Sequence, residues 1–359
     1  MISQGAHRKR VFVGLSGGVD SSVSAALLKK AGYDVTGVFI KVWQPDWLEC
    51  NWKEERLDAM RAAAHLGIPF TTLDLVKEYK QGVIDYMLAE YAAGRTPNPD
   101  VMCNREVKFG AFWQWAKTQG ADFIATGHYA QNIDGRLTIS KDTNKDQTYF
   151  LWTLTKIDIE HVLFPIGGMT KPEVRKLATK FKLPNADKKD SQGLCFIGKV
   201  DVKEFLAHYI KAEPGNVLDE TGKVIGKHPG ALLFTIGERR GFTIDGKSKT
   251  PSDSPYFVVR KDATKNTITV SNRPDGGSLP SATKKTTISN VSWVGTAPIM
   301  GKQIAARSRY RQPLQEIKMT AIANDRAELE FTAPQDTLTP GQSLVLYDDQ
   351  ECLGGGILV

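Results

Sequence analysis

The sequence predicts an α/β fold, a Rossmann-like N-terminal domain on a parallel sheet followed by β-rich structure. Three observations carry that prediction. Apolar, β-branched runs alternate with helix-length stretches through the first half. A loop containing two adjacent glycines, an aspartate and three serines joins the first such run to the first such stretch. Beyond about residue 210, short β-branched segments separated by turn residues replace the alternation.

Taken in order, RVFVGL reads as a strand and DSSVSAALLKKAG as a helix. Val19, Val23, Ala26 and Leu27 fall at i, i+4, i+7 and i+8 on one helical face. DVTGVFIKVW is a second strand, followed by a polar, tryptophan-rich excursion, QPDWLECNWKEER. LDAMRAAAHLG predicts a helix and PFTTLDL a strand. QGVIDYMLAEYAAG and KFGAFWQWAKTQG predict two more helices before the strand DFIATGH. Strands separated by helix-length segments need crossovers, and crossovers are right-handed and give a mostly parallel sheet. KPEVRKLATKFKLP is a helix that Thr170 and Pro172 start and Pro184 stops. NTITVSN, KTTISNVSWVG, AELEFTAP and SLVLYD then predict antiparallel β structure, either a small domain plus a barrel or one larger unit. RPDGGSLPSATKK is the candidate linker.

The chain has 359 residues, enough for two or three domains, and its 41% apolar and 24% charged content is that of an ordinary globular protein. A formal charge of +7 suits a polyanionic partner such as nucleic acid, although many enzymes share it. There is no apolar run of about 18 residues, so no membrane span is expected. The basic N-terminus runs straight into a strand, so no signal peptide is expected either. Cys50, Cys103, Cys195 and Cys352 form no CxxC pair, which argues against a zinc site and a disulfide framework. The expected compartment is reducing, hence cytoplasmic. Nothing in the sequence asks for more than a monomer.

GLSGGVDSS, residues 14–22, lies between the first strand and the first helix, which puts Gly17 and Gly18 at the helix N-terminus. Backbone without side chains lets N–H groups approach an anion, and the helix dipole and the hydroxyls of Ser16, Ser21 and Ser22 favour the same charge. Phosphate is the natural occupant; a tight connection with no ligand is the plain alternative. The spacing excludes both GxxxxGK[ST] and GxGxxG. The string resembles the SGGxDS signature of the PP-loop ATP pyrophosphatases, which cleave ATP between its α and β phosphates. That resemblance implies that Gly14, Leu15, Ser16, Gly17, Gly18, Val19, Asp20 and Ser21 line the phosphate site, that Ile40 lies at the adenine and that Gly127 contacts ATP. It also implies Mg²⁺ at Asp20, with no metal site built from protein ligands alone.

Two cysteines stand in polar, turn-rich stretches. GRTPNPDVMCNREVKFG places Cys103 after a Pro-Asn-Pro-Asp turn and just before a predicted helix, whose N-terminus would favour a thiolate. KKDSQGLCFIG places Cys195 behind Lys188 and Lys189, whose charges would do the same. ATGHYAQ ends a strand at Gly127 and His128, on the edge where α/β sheets bind ligands, and NKDQTYFL presents Lys145, Asp146 and Gln147 beside aromatics.

Together with HPGALLFTIGERRG, RSRYRQ, TPGQSLVLYD and LGGGI, these strings resemble the tRNA-specific 2-thiouridylase family over essentially the whole chain. One position departs: TIGERRG has Glu238 where the family pattern has glutamine, which puts that position's role in doubt. The resemblance implies three parts: a PP-loop catalytic domain (1–205), a small β-rich central domain (206–282) and a C-terminal antiparallel β-barrel that binds tRNA (283–359). It implies ATP-dependent replacement of O2 of the wobble uridine by sulfur in tRNAs for glutamate, glutamine and lysine, through an adenylated base. Sulfur would arrive as a persulfide on Cys195 from a cysteine desulfurase or a relay protein. Cys103 would be the second thiol, and Asp100 a proton acceptor. Asn98, Pro99 and Asp100 would contact the flipped base, and His128, Lys145, Asp146, Gln147, Arg309, Tyr310 and Gln342 the RNA. The chemistry is consistent with those parts. A carbonyl oxygen must be activated before it can leave, and sulfur delivery needs a thiolate plus a second thiol to resolve it. The rival readings are an ammonia-using PP-loop amide synthetase, which would need a glutaminase and neither cysteine, and an RNA-binding protein that has lost catalysis.

Overall fold

Apolar runs buried on both faces form the parallel sheet the alternation predicts. In the computed structural model, which describes residues 8–48, 52–189, 200–246, 255–272, 282–335 and 338–359, β1 (Arg10–Gly14) leads to α1 (Val19–Lys30), β2 (Asp34–Lys41), α2 (Trp52–Leu66) and β3 (Phe70–Asp74). After a helical region come β4 (Phe123–Ala125), a hairpin of β5 (Gln131–Ile133) and β6 (Arg136–Thr138), and β7 (Val162–Leu163). The sheet order is β3-β2-β1-β4-β7, all parallel. The chain moves outward from β1 to β3 and then crosses back to place β4 on the other side of β1. That reversal opens a crevice at the carboxyl ends of β1 and β4.

Val11, Val13 and Leu15 pack on Ala25 and Leu28 of α1 and on Ala59 and Ala63 of α2. On the opposite face Phe12, Val38 and Ile40 meet Val83, Met87, Val107 and Phe112 of the helical region. That region departs from the sequence expectation in two ways. The helix expected from residue 108 starts at Pro99, running as Pro99–Met102, a π-helical Cys103–Ala111 and Phe112–Thr118. Trp52 to Arg56, read as part of a polar excursion, are already in α2. The Lys171–Lys180 helix matches its start signals, with Thr170 and Glu173 forming a capping box.

Beyond Val202–Ala207, a short helix, β8 (Gly215–Leu218), β9 (Val224–His228), β10 (Thr243–Ile244), β11 (Phe257–Asp262) and β12 (Thr267–Ser271) form a second sheet in the order β10-β9-β8-β12-β11. The remaining strands are β13 (Thr283–Trp293), β14 (Gln303–Arg307), β15 (Gln315–Ala323), β16 (Arg326–Gln335), β17 (Ser343–Asp348) and β18 (Glu351–Leu358). They run β13-β16-β15-β14-β17-β18, and pairing of β13 with β18 closes a six-stranded antiparallel barrel around Ile288, Ile317, Leu329 and Leu344. Of the expected linker, residues 273–281 lie outside the described residues and Thr283 to Lys285 begin β13. Among the described residues no helix is long and apolar enough to cross a membrane.

Candidate active site

The glycine loop sits where β1 ends and α1 begins, with Gly18 as the helix N-cap. Gly17 has φ +77°, and a Cβ there would lie 2.4 Å from the Glu55 carbonyl oxygen. Only glycine lets the loop take that conformation against α2. The hydroxyls brace the loop internally. Gly18 N–H donates to Ser16 Oγ (3.3 Å), Ser16 N–H to Ser21 Oγ (3.3 Å), and the Ser21 and Ser22 hydroxyls to Gly18 O (3.2 and 2.9 Å). The first-turn amides of α1 have no intrahelical acceptor, so the loop presents donors and the positive end of a dipole to the crevice.

Asp20 in the first turn of α1 accepts from Lys171 Nζ at 2.7 and 2.9 Å and from the Tyr129 hydroxyl at 3.1 Å. Sequence reasoning missed Lys171. Its signal was available: a lysine in the first turn of a helix opposes the helix dipole, which points to a carboxylate partner elsewhere. Gly127, just past β4, lies against the same turn. A Cβ on it would be 2.7 Å from Ser21 N and 2.8 Å from the Asp20 carbonyl carbon. Ile40 ends β2, buried in the core beside Phe12 and Val42. Among the described residues no group of three or more His, Cys, Asp or Glu side chains is placed to hold a metal. Asp20 is the loop's own carboxylate, and a metal there would have to displace Lys171 Nζ from it and take phosphate oxygens as its other ligands.

The Pro-Asn-Pro-Asp turn is a helix start. Asn98 Oδ1 accepts from Val101 N–H (3.3 Å) and Pro99 takes the first helical position. Cys103 therefore lies one turn inside the helical run, not before it. It is 0% exposed and belongs to an apolar cluster with Val101, Val107 and Phe112, which corrects the expectation of a polar loop setting. Cys195 and Cys50 lie outside the described residues. The charge argument for Cys195 weakens at Lys188, whose Nζ is 2.8 Å from Asp58 Oδ2 on α2. Burial raises the pKa of the neighbouring Glu55, with Lys188 acting in the opposite sense.

All three parts of the chain converge on residues 96–98. From the barrel, Gln342 Nε2 donates to Thr96 O (2.9 Å) and Pro97 O (3.3 Å), and Pro340 O accepts from Thr96 N–H (2.9 Å). The Tyr149 hydroxyl bonds Asn98 and reaches Ser308 O (2.9 Å) and Ser343 O (3.1 Å). The Tyr310 ring lies 4.8 Å from Phe150. From the central sheet's side, Thr235 Oγ1 is 3.4 Å from Thr96 Oγ1, and Ile236 O accepts from Arg309 Nη2 (2.7 Å). Glu238, the departure from the family pattern, accepts from Thr235 N–H (3.2 Å) and pairs with Lys203 (2.5 Å).

The expected RNA contacts divide by exposure. Lys145, Gln147, Arg309, Tyr310 and Gln342 are half-buried, as are Asn98, Pro99 and Asp100. His128 is 8% and Asp146 2% exposed, so these two side chains face the interior. His128 Nδ1 is 2.7 Å from Thr126 Oγ1, and burial holds its pKa well below the usual histidine range. Asp146 accepts from Ser140 N–H (3.1 Å) and the Thr148 hydroxyl (2.8 Å) and lies 3.8 Å from Arg307 Nη1; burial raises its pKa.

Known families match along the whole chain. Residues 9–199 match a tRNA methyl transferase HUP domain, residues 203–272 a tRNA methyl transferase PRC-barrel domain and residues 283–358 an aminomethyltransferase beta-barrel domain. A protein of Thiobacillus denitrificans named tRNA-specific 2-thiouridylase MnmA is 46% identical over 97% of this chain and 99% of its own length. Proteins of the same name from Nitrosomonas europaea and Streptococcus mutans are each 45% identical over 98% of this chain, covering 99% and 95% of their own lengths.

Proposed function

The chain belongs to the tRNA-specific 2-thiouridylase family, and from that premise we propose how its residues carry out the reaction. It is an ATP-dependent sulfurtransferase that thiolates tRNA at C2 of uridine. The observation that carries the finer reading is the phosphate loop over 14–21, braced by its own serines and backed by Gly127. The uridine is the wobble base of tRNAs for glutamate, glutamine and lysine. Its O2 attacks the α phosphorus of ATP, pyrophosphate leaves, and the base is adenylated. Gly14 to Ser21 hold the phosphates, with Ile40 and Gly127 at the rest of the nucleotide. Asp20, once it gives up Lys171, would hold Mg²⁺, which would supply positive charge against the departing pyrophosphate.

A cysteine desulfurase or relay protein leaves a persulfide on Cys195. Its terminal sulfur, or sulfide released when Cys103 attacks Cys195, adds to C2 and AMP departs. In the first route the base stays joined to Cys195 through an S–S bond until the Cys103 thiolate attacks the Cys195 sulfur and frees the thiocarbonyl, so both routes end in a disulfide between the two cysteines that a reductant must reopen. Asp100 accepts the proton. Asn98, Pro99 and Asp100 hold the flipped base, while Lys145, Gln147, Arg309, Tyr310 and Gln342 contact the RNA and His128 and Asp146 support that surface from inside. The protein works as a cytoplasmic monomer in three parts, 1–205, 206–282 and 283–359. The decisive test is analysis of tRNA nucleosides from cells lacking the protein: 2-thiouridine derivatives should disappear, and their persistence would refute the reading.

A further inference from the structure

The phosphate loop is held from behind by a side chain that the proposed chemistry does not use. Asn185, in the turn after the Lys171–Lys180 helix, is 6% exposed. Its Nδ2 donates to Gly17 O (2.9 Å), Gly18 O (3.2 Å) and Ser22 Oγ (2.9 Å). The Ser22 hydroxyl gives its own proton to Gly18 O, so all three neighbours accept and the amide orientation is forced. Asn185 Oδ1 is buried with no donor among the described residues. The nitrogen's bonds, not the oxygen's, fix this side chain.

In a trans peptide the C=O and N–H point in opposite directions. Drawing Gly17 O and Gly18 O toward Asn185 therefore turns the N–H groups of Gly18, which meets Ser16 Oγ, and of Val19 away from it, to the other side of the loop. The turn that carries Asn185 is itself anchored. Arg175 Nη1 donates to Ala186 O (2.9 Å) and Lys188 O (2.6 Å), and Lys188 reaches Asp58 on α2. Val174, Ala178 and Leu183 pack on Val19 and Val23 of α1. We infer that Asn185 is a positioning residue for adenylation, setting the direction of the loop amides that receive the nucleotide's phosphates; this rests on the ATP-dependent reading above.

The test compares wild type with Asn185→Asp and Asn185→Ser. Pyrophosphate release from ATP with unmodified tRNA is followed from about pH 5.5 to about pH 8.5, with tRNA affinity and thermal unfolding measured beside it. In Asn185→Asp a carboxylate of the same size faces two carbonyl oxygens, which raises its pKa; on protonation it regains one donor. At about pH 8, kcat/KM for ATP should fall about 30-fold or more with tRNA affinity unchanged. Part of the loss should return as the pH falls, through an inflection that wild type lacks. Asn185→Ser should show a smaller loss and no new inflection. The charged neighbours Asp20, Lys171, Glu55, Asp58, Lys188 and Arg175 are the same in all three proteins, so the added inflection belongs to position 185. Folded Asn185→Asp within about threefold of wild type, or a loss with no recovery at low pH, would overturn the inference. Should Asn185→Asp not fold, unchanged kcat and KM in Asn185→Ser would overturn it. Wild type releasing no pyrophosphate would instead refute the ATP-dependent reading.

Discussion

Gly127→Ala separates position from chemistry, because it adds one methyl group and removes no functional group. The backbone there is outside the left-handed region, so alanine brings no conformational strain. Its Cβ would lie 2.7 Å from Ser21 N, 2.8 Å from the Asp20 carbonyl carbon and 3.1 Å from Asp20 Cβ, where ordinary contact begins at 3.4 Å. The β4 loop and the first turn of α1 must therefore separate by roughly 0.7 Å, the difference between 3.4 and 2.7. That turn has little room to give: Ser21 is 5% exposed, and Ser22 and Val23 are 0% exposed. Overpacking of this kind costs about 1–3 kcal/mol of stability. A displacement approaching an ångström costs positioned chemistry about 100-fold. The assay is pyrophosphate release from ATP with unmodified tRNA, alongside thermal unfolding and tRNA affinity. The expected result is a fall of about 100-fold in kcat/KM for ATP with a lowered midpoint and intact tRNA binding. Release within about threefold of wild type at an unchanged midpoint would show that the loop is not held by this contact.

Asp20→Ala should abolish pyrophosphate release while leaving the fold intact, and normal release by the folded variant would remove Asp20 from the reaction. Cys195→Ser should still adenylate tRNA but carry no labelled sulfur, whereas Cys103→Ser should load sulfur and fail to turn over; labelled sulfur on Cys103 of Cys195→Ser would reverse these roles. Arg309→Ala should weaken tRNA binding and flatten its log–log salt slope by about one unit; an unchanged slope with lowered stability would make Arg309 a strut to Ile236 O. The histidine at 128 should make stability pH-dependent in a defined sense. Burial lowers its folded pKa below 6.5, so on acidification the unfolded chain takes the proton first. Stability is full above that value and falls as the pH drops below it, by at most about 1.4 kcal/mol per pH unit. Chemical denaturation of wild type and His128→Gln should show a shallower loss in the variant between about pH 7 and about pH 5, and equal slopes would refute the assignment.

The parts of the site readable from the sequence are those whose signal is local. The glycine loop announces itself because strand, glycines and amphipathic helix follow one another within a few residues. Three of the six barrel strands, β13, β16 and β17, are legible from β-branched runs between turns. What escaped depends on distant pairing. Lys171 and Asn185 reach the loop across 151 and 168 residues of chain. The β5–β6 hairpin joins the barrel sheet through a single registered pair, Glu351 with Thr138, which leaves no period to read. Cys103 was misplaced for a subtler reason. Proline and asparagine predict a turn preceding a helix, although asparagine followed by proline is equally the start of one. Moving the helix start back to Pro99 brings the thiol inside, where its neighbours are apolar.

That placement bears on the proposed chemistry. Cys103 is buried inside the helical run that Asn98 starts, so the reaction proposed for it needs that run to open. The residues at its start are tied to the barrel: Thr96 O and Pro97 O accept from Gln342 and Thr96 N–H donates to Pro340 O, while Asn98 bonds the Tyr149 hydroxyl of its own part, which also reaches Ser308 and Ser343 of the barrel. Gln342, Arg309 and Tyr310 are the barrel residues assigned to RNA contact in the proposed function. RNA that engages Gln342 competes for the amide now bonded to the Thr96 and Pro97 carbonyls. Binding free energy would then be available to loosen residues 96–98 at the start of the run that contains Cys103, because a ligand shifts an equilibrium only by its differential contacts with the two states. On that account the burial of Cys103 is compatible with the thiol role proposed for it, provided that tRNA binding releases the start of the helical run.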